Sequence, residues 1–178
     1  MKAKITSLAI AIFSSVLFMG GCLEKITSVD FTYTSTAQLK SDSLKTVGYQ
    51  SIDSVVLKSD LDSLLKKNGT SLDLLDELTL KSATIGYTSP VTGDNFDKID
   101  AVELWVFTPT LPPLKLASKT PVGKGLTTVD LDVASSTNLE EYLKSESYTL
   151  QAKGSNNAPL GPMNLTVTAT WNIKASAK

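Results

Sequence analysis

Asp94-Asn95-x-Asp97-x-x-Asp100 gathers four oxygen-bearing side chains in one short stretch, and Ca²⁺ binds groups of this kind. The spacing departs from the calcium-loop pattern D-x-[DN]-x-[DN]-G with its distal Glu, and turn chemistry alone favours Asp and Asn in loops. Ser63-Leu64-Leu65-Lys66 has the S-x-x-K spacing of an activated serine nucleophile. The S-D-N and K-T-G partners of that chemistry are missing, so Ser63 is expected on the polar face of a helix. Glu103 and Glu140 are the glutamates closest to ordered apolar sequence. A carboxylate pair can hydrolyse a glycosidic bond when both face one cleft, about 5 Å or about 6.5–9.5 Å apart; spacing along the chain does not encode such a distance. Trp105 and Trp171 could stack on a sugar. Trp171 alternates in register with Val167, Ala169 and Ile173, which places it in the core, and Trp105, sharing a strand face with Phe107, is expected there too.

Absences narrow the chemistry further. The chain has no His, and every basic residue is Lys. Without His, no Ser-His-Asp or Cys-His pair can be assembled, and no His-ligated metal site. Without Arg there is no planar fork for bidentate phosphate contacts. Once Lys2 and Lys4 are set aside, the body carries 15 lysines against 18 acids, a poor surface for nucleic acid or heparin-like polyanions. Carboxylate chemistry, Lys chemistry and oxygen-bound cations survive; no cofactor is indicated.

The first residues carry an address. Met1-Lys2-Ala3-Lys4 is basic, Ile5 to Met19 is an apolar run broken only by Thr6, Ser7, Ser14 and Ser15, and Gly20-Gly21-Cys22 closes it. That is the layout of a secretory signal, and the run falls short of the about 20 apolar residues a spanning helix needs. Met19-Gly20-Gly21-Cys22 resembles the lipobox of bacterial lipoproteins, with Met where that family usually has Leu. The resemblance implies diacylglyceryl on the Cys22 sulfur, cleavage after Gly21 and acylation of the new amino terminus. Cys22 is the only cysteine, so it has no internal disulfide partner. Several acyl chains on one residue hold a protein to a membrane where a single chain binds only reversibly. Leu23, rather than Asp, follows the cysteine, which by the proteobacterial sorting rule points to the outer membrane more than the inner.

The elements that position these residues follow from periodicity. Val29, Phe31 and Tyr33 alternate with polar residues as in a half-buried strand, and a second strand is expected around 47–57. Ser59 to Asn68 reads as a helix capped by Ser59, with Leu61, Leu64 and Leu65 on one face and Gly69 as its stop. Ser71 to Glu77 reads as a short helical turn. Leu78 to Thr88 returns to strand. Ile99 to Phe107 is apolar on both faces, which predicts a central strand covered by the Leu61–Leu75 helical segment. Short strands follow at Leu114–Ala117 and Thr127–Val133. Thr137-x-x-Glu140 is a capping box before a short helix. Strands at Tyr148–Ala152 and Leu165–Ala175 end the chain.

Seven or eight strands with helices only as connectors predict an antiparallel β-sandwich, immunoglobulin-like in the broad sense. The expected division is a signal peptide over 1–21, a lipidated cysteine and tether over 22–28, and one domain over 29–178. In architecture the mature part resembles the small β-sandwich lipoproteins common in the Bacteroidetes. Two functions stay open: a non-enzymatic binding or structural accessory module with a protein or glycan partner, and a small carboxylate-dependent, glycan-active hydrolase.

Overall fold

The computed structural model describes residues 28–89, 95–134 and 137–177. The leader, Cys22 and Asp94 lie outside the described residues. Among the described residues, eight strands form one curled antiparallel sheet, a half-barrel, which agrees with the antiparallel β fold expected. They are β1 (Ser28–Ser41), β2 (Gly48–Lys58), β3 (Leu75–Thr88), β4 (Ile99–Phe107), β5 (Leu114–Lys119), β6 (Thr128–Val133), β7 (Ser147–Asn156) and β8 (Met163–Ser176). Two short helices, α1 (Leu61–Lys67) and α2 (Glu140–Lys144), connect them.

The pairing is nested. β1 pairs with β8, β2 with β7, β3 with β6 and β4 with β5, so the chain is one long hairpin folded back about its proline-rich middle. Pairings of β3 with β8, β4 with β7 and β5 with β6 then roll that hairpin into the sheet order β1-β8-β3-β6-β5-β4-β7-β2. The join between β5 and β6 rests on two register pairs, Ala117 with Val133 and Ser118 with Asp132. At the opposite side β1 and β2 approach each other without a ladder. The Lys40 N–H crosses that seam to the Asp53 carboxylate at 2.6 Å.

Strand periodicity sets the core. On β8, Leu165, Val167, Ala169, Trp171, Ile173 and Ala175 are buried, while the residues between them face outward. Trp171 is fully buried, and its indole N–H donates to Ser35 Oγ at 2.9 Å, which satisfies the one polar group the ring carries inward. α1 turns Leu61 and Leu65 inward and stops at Gly69, whose φ of 77° is a left-handed conformation suited to glycine.

Several local expectations fail. Ser59 does not cap α1; its hydroxyl donates to the Leu143 carbonyl, and Asp60 holds the N-cap position. α1 packs against α2 over the end of the half-barrel, above Tyr33, Leu78, Tyr148 and Trp171, and not over β4. The predicted capping box is not formed. Asn138 takes that part, its side-chain oxygen accepting from the N–H groups of Glu140 (3.1 Å) and Leu78 (3.3 Å). This pins α2 to β3 as well as opening the helix. The turn expected over Ser71–Glu77 shrinks to Leu72–Leu74, because β3 already begins at Leu75.

Candidate functional site

β4 shows why one face of the sheet stays open. Val102, Leu104 and Val106 are fully buried, while Ala101, Glu103, Trp105 and Phe107 alternate with them on the outer side and are only half-buried. Trp105 is therefore not a core residue, contrary to expectation. Glu103 stands on its face of the strand, and a carboxylate needs water or donors that a closed core does not supply.

Glu103 organises the face. One carboxylate oxygen, Oε2, accepts from the Tyr49 hydroxyl at 2.6 Å and from the Trp105 indole N–H at 2.9 Å; the other, Oε1, accepts from Lys115 Nζ at 3.3 Å. Two residues along β4 put Glu103 and Trp105 on one side. Register sets Lys153 opposite Glu103, and both Lys115 and Gln151 opposite Trp105. The Lys153 ammonium lies over the Trp105 ring, 4.4 Å from its centroid, and that of Lys115 lies 6.0 Å away. Tyr49, on β2, is 59% exposed, and Val56 farther along the same strand is 68% exposed. The outer surface of β2, β7, β4 and β5 is thus an aromatic platform ringed by two ammonium groups, an amide and hydroxyls.

The electrostatics follow from these contacts. Partial desolvation works to raise the Glu103 pKa. Hydrogen bonds from Tyr49, Trp105 and Lys115, with the charge of Lys115, outweigh it and hold the carboxyl below the usual carboxylate range. Desolvation and the hydrogen bond to Glu103 push the Tyr49 phenol up to about 12. At the end of the half-barrel, burial raises Tyr148, with Tyr33 and Asp60 adding to it; burial, then Asp60, raises Tyr33.

The other candidates are scattered. Asn95 Oδ1 accepts from the Asp97 N–H at 2.8 Å, Asp97 Oδ1 from the Gly125 N–H at 2.5 Å, and Asp100 Oδ1 from Asn157 Nδ2 at 2.6 Å. These are the loop-pinning bonds expected of Asp and Asn; Asp94 and Cys22 lie outside the described residues. Ser63 is exposed on α1, and Lys66 pairs with Asp62 at 2.6 Å. Glu140 bonds to Lys144 on α2 and to Asn138 just before it, so Glu103 and Glu140 serve different elements with different partners. A shallow groove near the β1 start is lined by Asp30, Phe31, Glu77 and Lys174, among others, and both acids are exposed. Tyr49, Lys115 and Lys153 escaped the sequence reading. The available signal was Glu103 itself, the charged residue between Ala101 and Trp105 on their shared face.

The chain matches no protein-family model and no curated protein. Among solved structures, a chain of Turnip Yellow Mosaic Virus is similar at 13% identity over 82% of this chain and 95% of that one. Its TM-score is 0.23, a likeness that bears on neither fold nor function here.

Proposed function

We propose that this protein is a lipid-anchored component of the cell envelope that works by contact, through the open face around Trp105, rather than by catalysis. The observation that carries the contact reading is the placement of Trp105. A ring of that size adds most to stability when buried, yet here it stands outward with its N–H fastened to Glu103. Exposed apolar surface rimmed by polar groups marks interaction sites. The anchor rests on the leader: lipid on Cys22 in a membrane, the outer membrane by the residue that follows. The competing reading, a carboxylate hydrolase, finds little support at Glu103. A general acid near neutral pH must hold its proton, and Glu103 is shifted the opposite way.

The same reading treats the half-barrel as two facing leaves, β1-β8-β3-β6 and β2-β7-β4-β5, a sandwich of jelly-roll type. The two-pair join between β5 and β6 and the unladdered seam between β1 and β2 support it. A leaf backed by a shared core gives the platform a rigid base.

Two measurements test the proposal. Labelled palmitate is expected to enter the wild type and not Cys22→Ser; equal labelling would remove the anchor. Full-length protein in liposomes is expected to retain an envelope component that Trp105→Ala releases. Thr170→Asp, on the outer face of β8, should keep it. Retention unchanged by Trp105→Ala would remove the face.

A further inference from the structure

We infer that the Trp105 face takes an acidic glycan, its sugar ring stacked on the indole and its carboxylate paired with Lys153 and Lys115. This rests on the contact reading above and adds the chemistry of the ligand. Three features of the face lead to it.

First, recognition at the centre of this face uses side chains alone. β4 is laddered to β5 on one edge and β7 on the other, and β7 to β4 and β2. A peptide adding as a strand needs a free edge, and this face offers none at its centre. A rigid ring that stacks on an aromatic and hydrogen-bonds around its rim suits such a surface. The rim provides the groups: Gln151, which bonds to Ser51 at 3.0 Å, together with Ser118 and Ser155 on the same side of the sheet.

Second, the charge selects an anion. Lys115 and Lys153 flank one ring, where the acid at hand, Glu103, already accepts three hydrogen bonds, and Asp132, opposite Ser118 at the rim, is paired with Lys119. A cationic ligand would meet both ammonium groups. Long polyanions, phosphate polymers and heparin-like glycans alike, are disfavoured by a chain with no Arg and a net charge of −1; a short carboxylate-bearing glycan asks only for the two ammonium groups at the ring.

Third, Lys153 is held loosely enough to be recruited. Its contact is the Trp105 ring face, and a cation–π contact at a protein surface is a weak one. A carboxylate gives a stronger charge-assisted hydrogen bond. The ammonium can therefore swing from the ring to the ligand acid and leave the indole face to the sugar. The Trp105 N–H stays fixed on Glu103, so the ring keeps its orientation while the cover moves.

The test uses full-length protein in detergent with three probes: oligogalacturonate, its fully methyl-esterified form and a neutral glucan, measured by calorimetry at low and moderate salt. The acid form is expected to bind at least about tenfold tighter than the ester, with the preference falling as salt rises. Lys153→Gln is expected to reduce acid binding about fivefold and leave ester binding unchanged; Trp105→Ala is expected to abolish both. Far-UV dichroism of each variant establishes that it is folded. Equal binding of acid and ester, still lost in Trp105→Ala, overturns the acidic specificity and keeps the contact face. No binding of any glycan, alongside Trp105-dependent retention of a protein, overturns the glycan and also keeps the face. Acid binding that survives Trp105→Ala overturns both.

Discussion

Glu103 accepts from a phenol, an indole and an ammonium, and its protonation state is therefore tied to the shape of the platform. The signs are opposite for the two titrating partners. Glu103 is shifted down, so the stability it contributes is present above the ordinary carboxylate pKa and is lost as pH falls through its lowered value. Tyr49 is shifted up to about 12 from 10.0, so its contribution is present below 10 and is lost as pH rises through about 12. A spectrophotometric phenolate titration should show one tyrosine at about 12 that Tyr49→Phe removes. In Glu103→Gln the same group should titrate lower, because the carboxylate's hydrogen bond and charge are gone. A Tyr49 midpoint unmoved by Glu103→Gln would mean that the pair is not formed in solution. At this scale the sequence was half legible. Trp171 declared itself through five alternating apolar neighbours on β8, whereas Trp105 sits where Ala101 and Phe107 imitate a second buried face. Only the charge between them distinguishes an outer surface from an inner one.

Elements were more legible than their ends. β8 falls where period-two alternation puts it and β4 where its apolar run does, because one face of each is continuously apolar over its length. The ends depended on partners distant in sequence. β7 runs on to Asn156, past the Tyr148–Ala152 expected, because Gly48, Tyr49 and Gln50 of β2 are there to pair with it. Asn156 is buried among the Thr46 and Ala158 carbonyls and the Gln50 amide. Gly154 shows the same dependence. A Cβ added there would meet the Ala101 carbonyl oxygen at 2.7 Å and Ile52 Cδ1 at 3.0 Å, whereas at Gly86 on β3 the nearest atoms are 3.8 Å away. Gly154→Ala is expected to destabilise by about 1–3 kcal/mol, as overpacking does. Gly86→Ala should stay within about 0.5 kcal/mol of wild type. Urea unfolding of the two variants measures both, and equal midpoints would show that β4 and β7 separate easily at Ala101.

Across the whole molecule, the nested pairing makes the last strand the one on which closure depends. β8 is laddered on both edges, to β1 and to β3, and supplies Trp171 to the core. A chain ending at Pro162 is therefore expected to lose its cooperative urea transition and its β signal in circular dichroism. A retained transition would show that the other strands close without it. The strand order could not be read from the sequence, since alternation reports which face is buried and not which strand lies alongside. Pairing residues at opposite ends of the chain also raises the contact order, and all-β chains of this kind fold in about milliseconds to seconds. The register Ser28 with Ser176 has a geometric consequence. Beginning and end of the described body lie side by side, so a short linker could join them and new termini could be opened in the 157–162 loop at the far end, a rearrangement that adjacent termini favour. From Cys22 to Ser28 an extended chain reaches at most about 20 Å, so the lipid proposed on Cys22 would hold the Ser28 end towards the bilayer. The same lipid grafted to the permuted start would turn the domain upside down, and labelling from outside the vesicle would then report which end of this protein its environment needs to see.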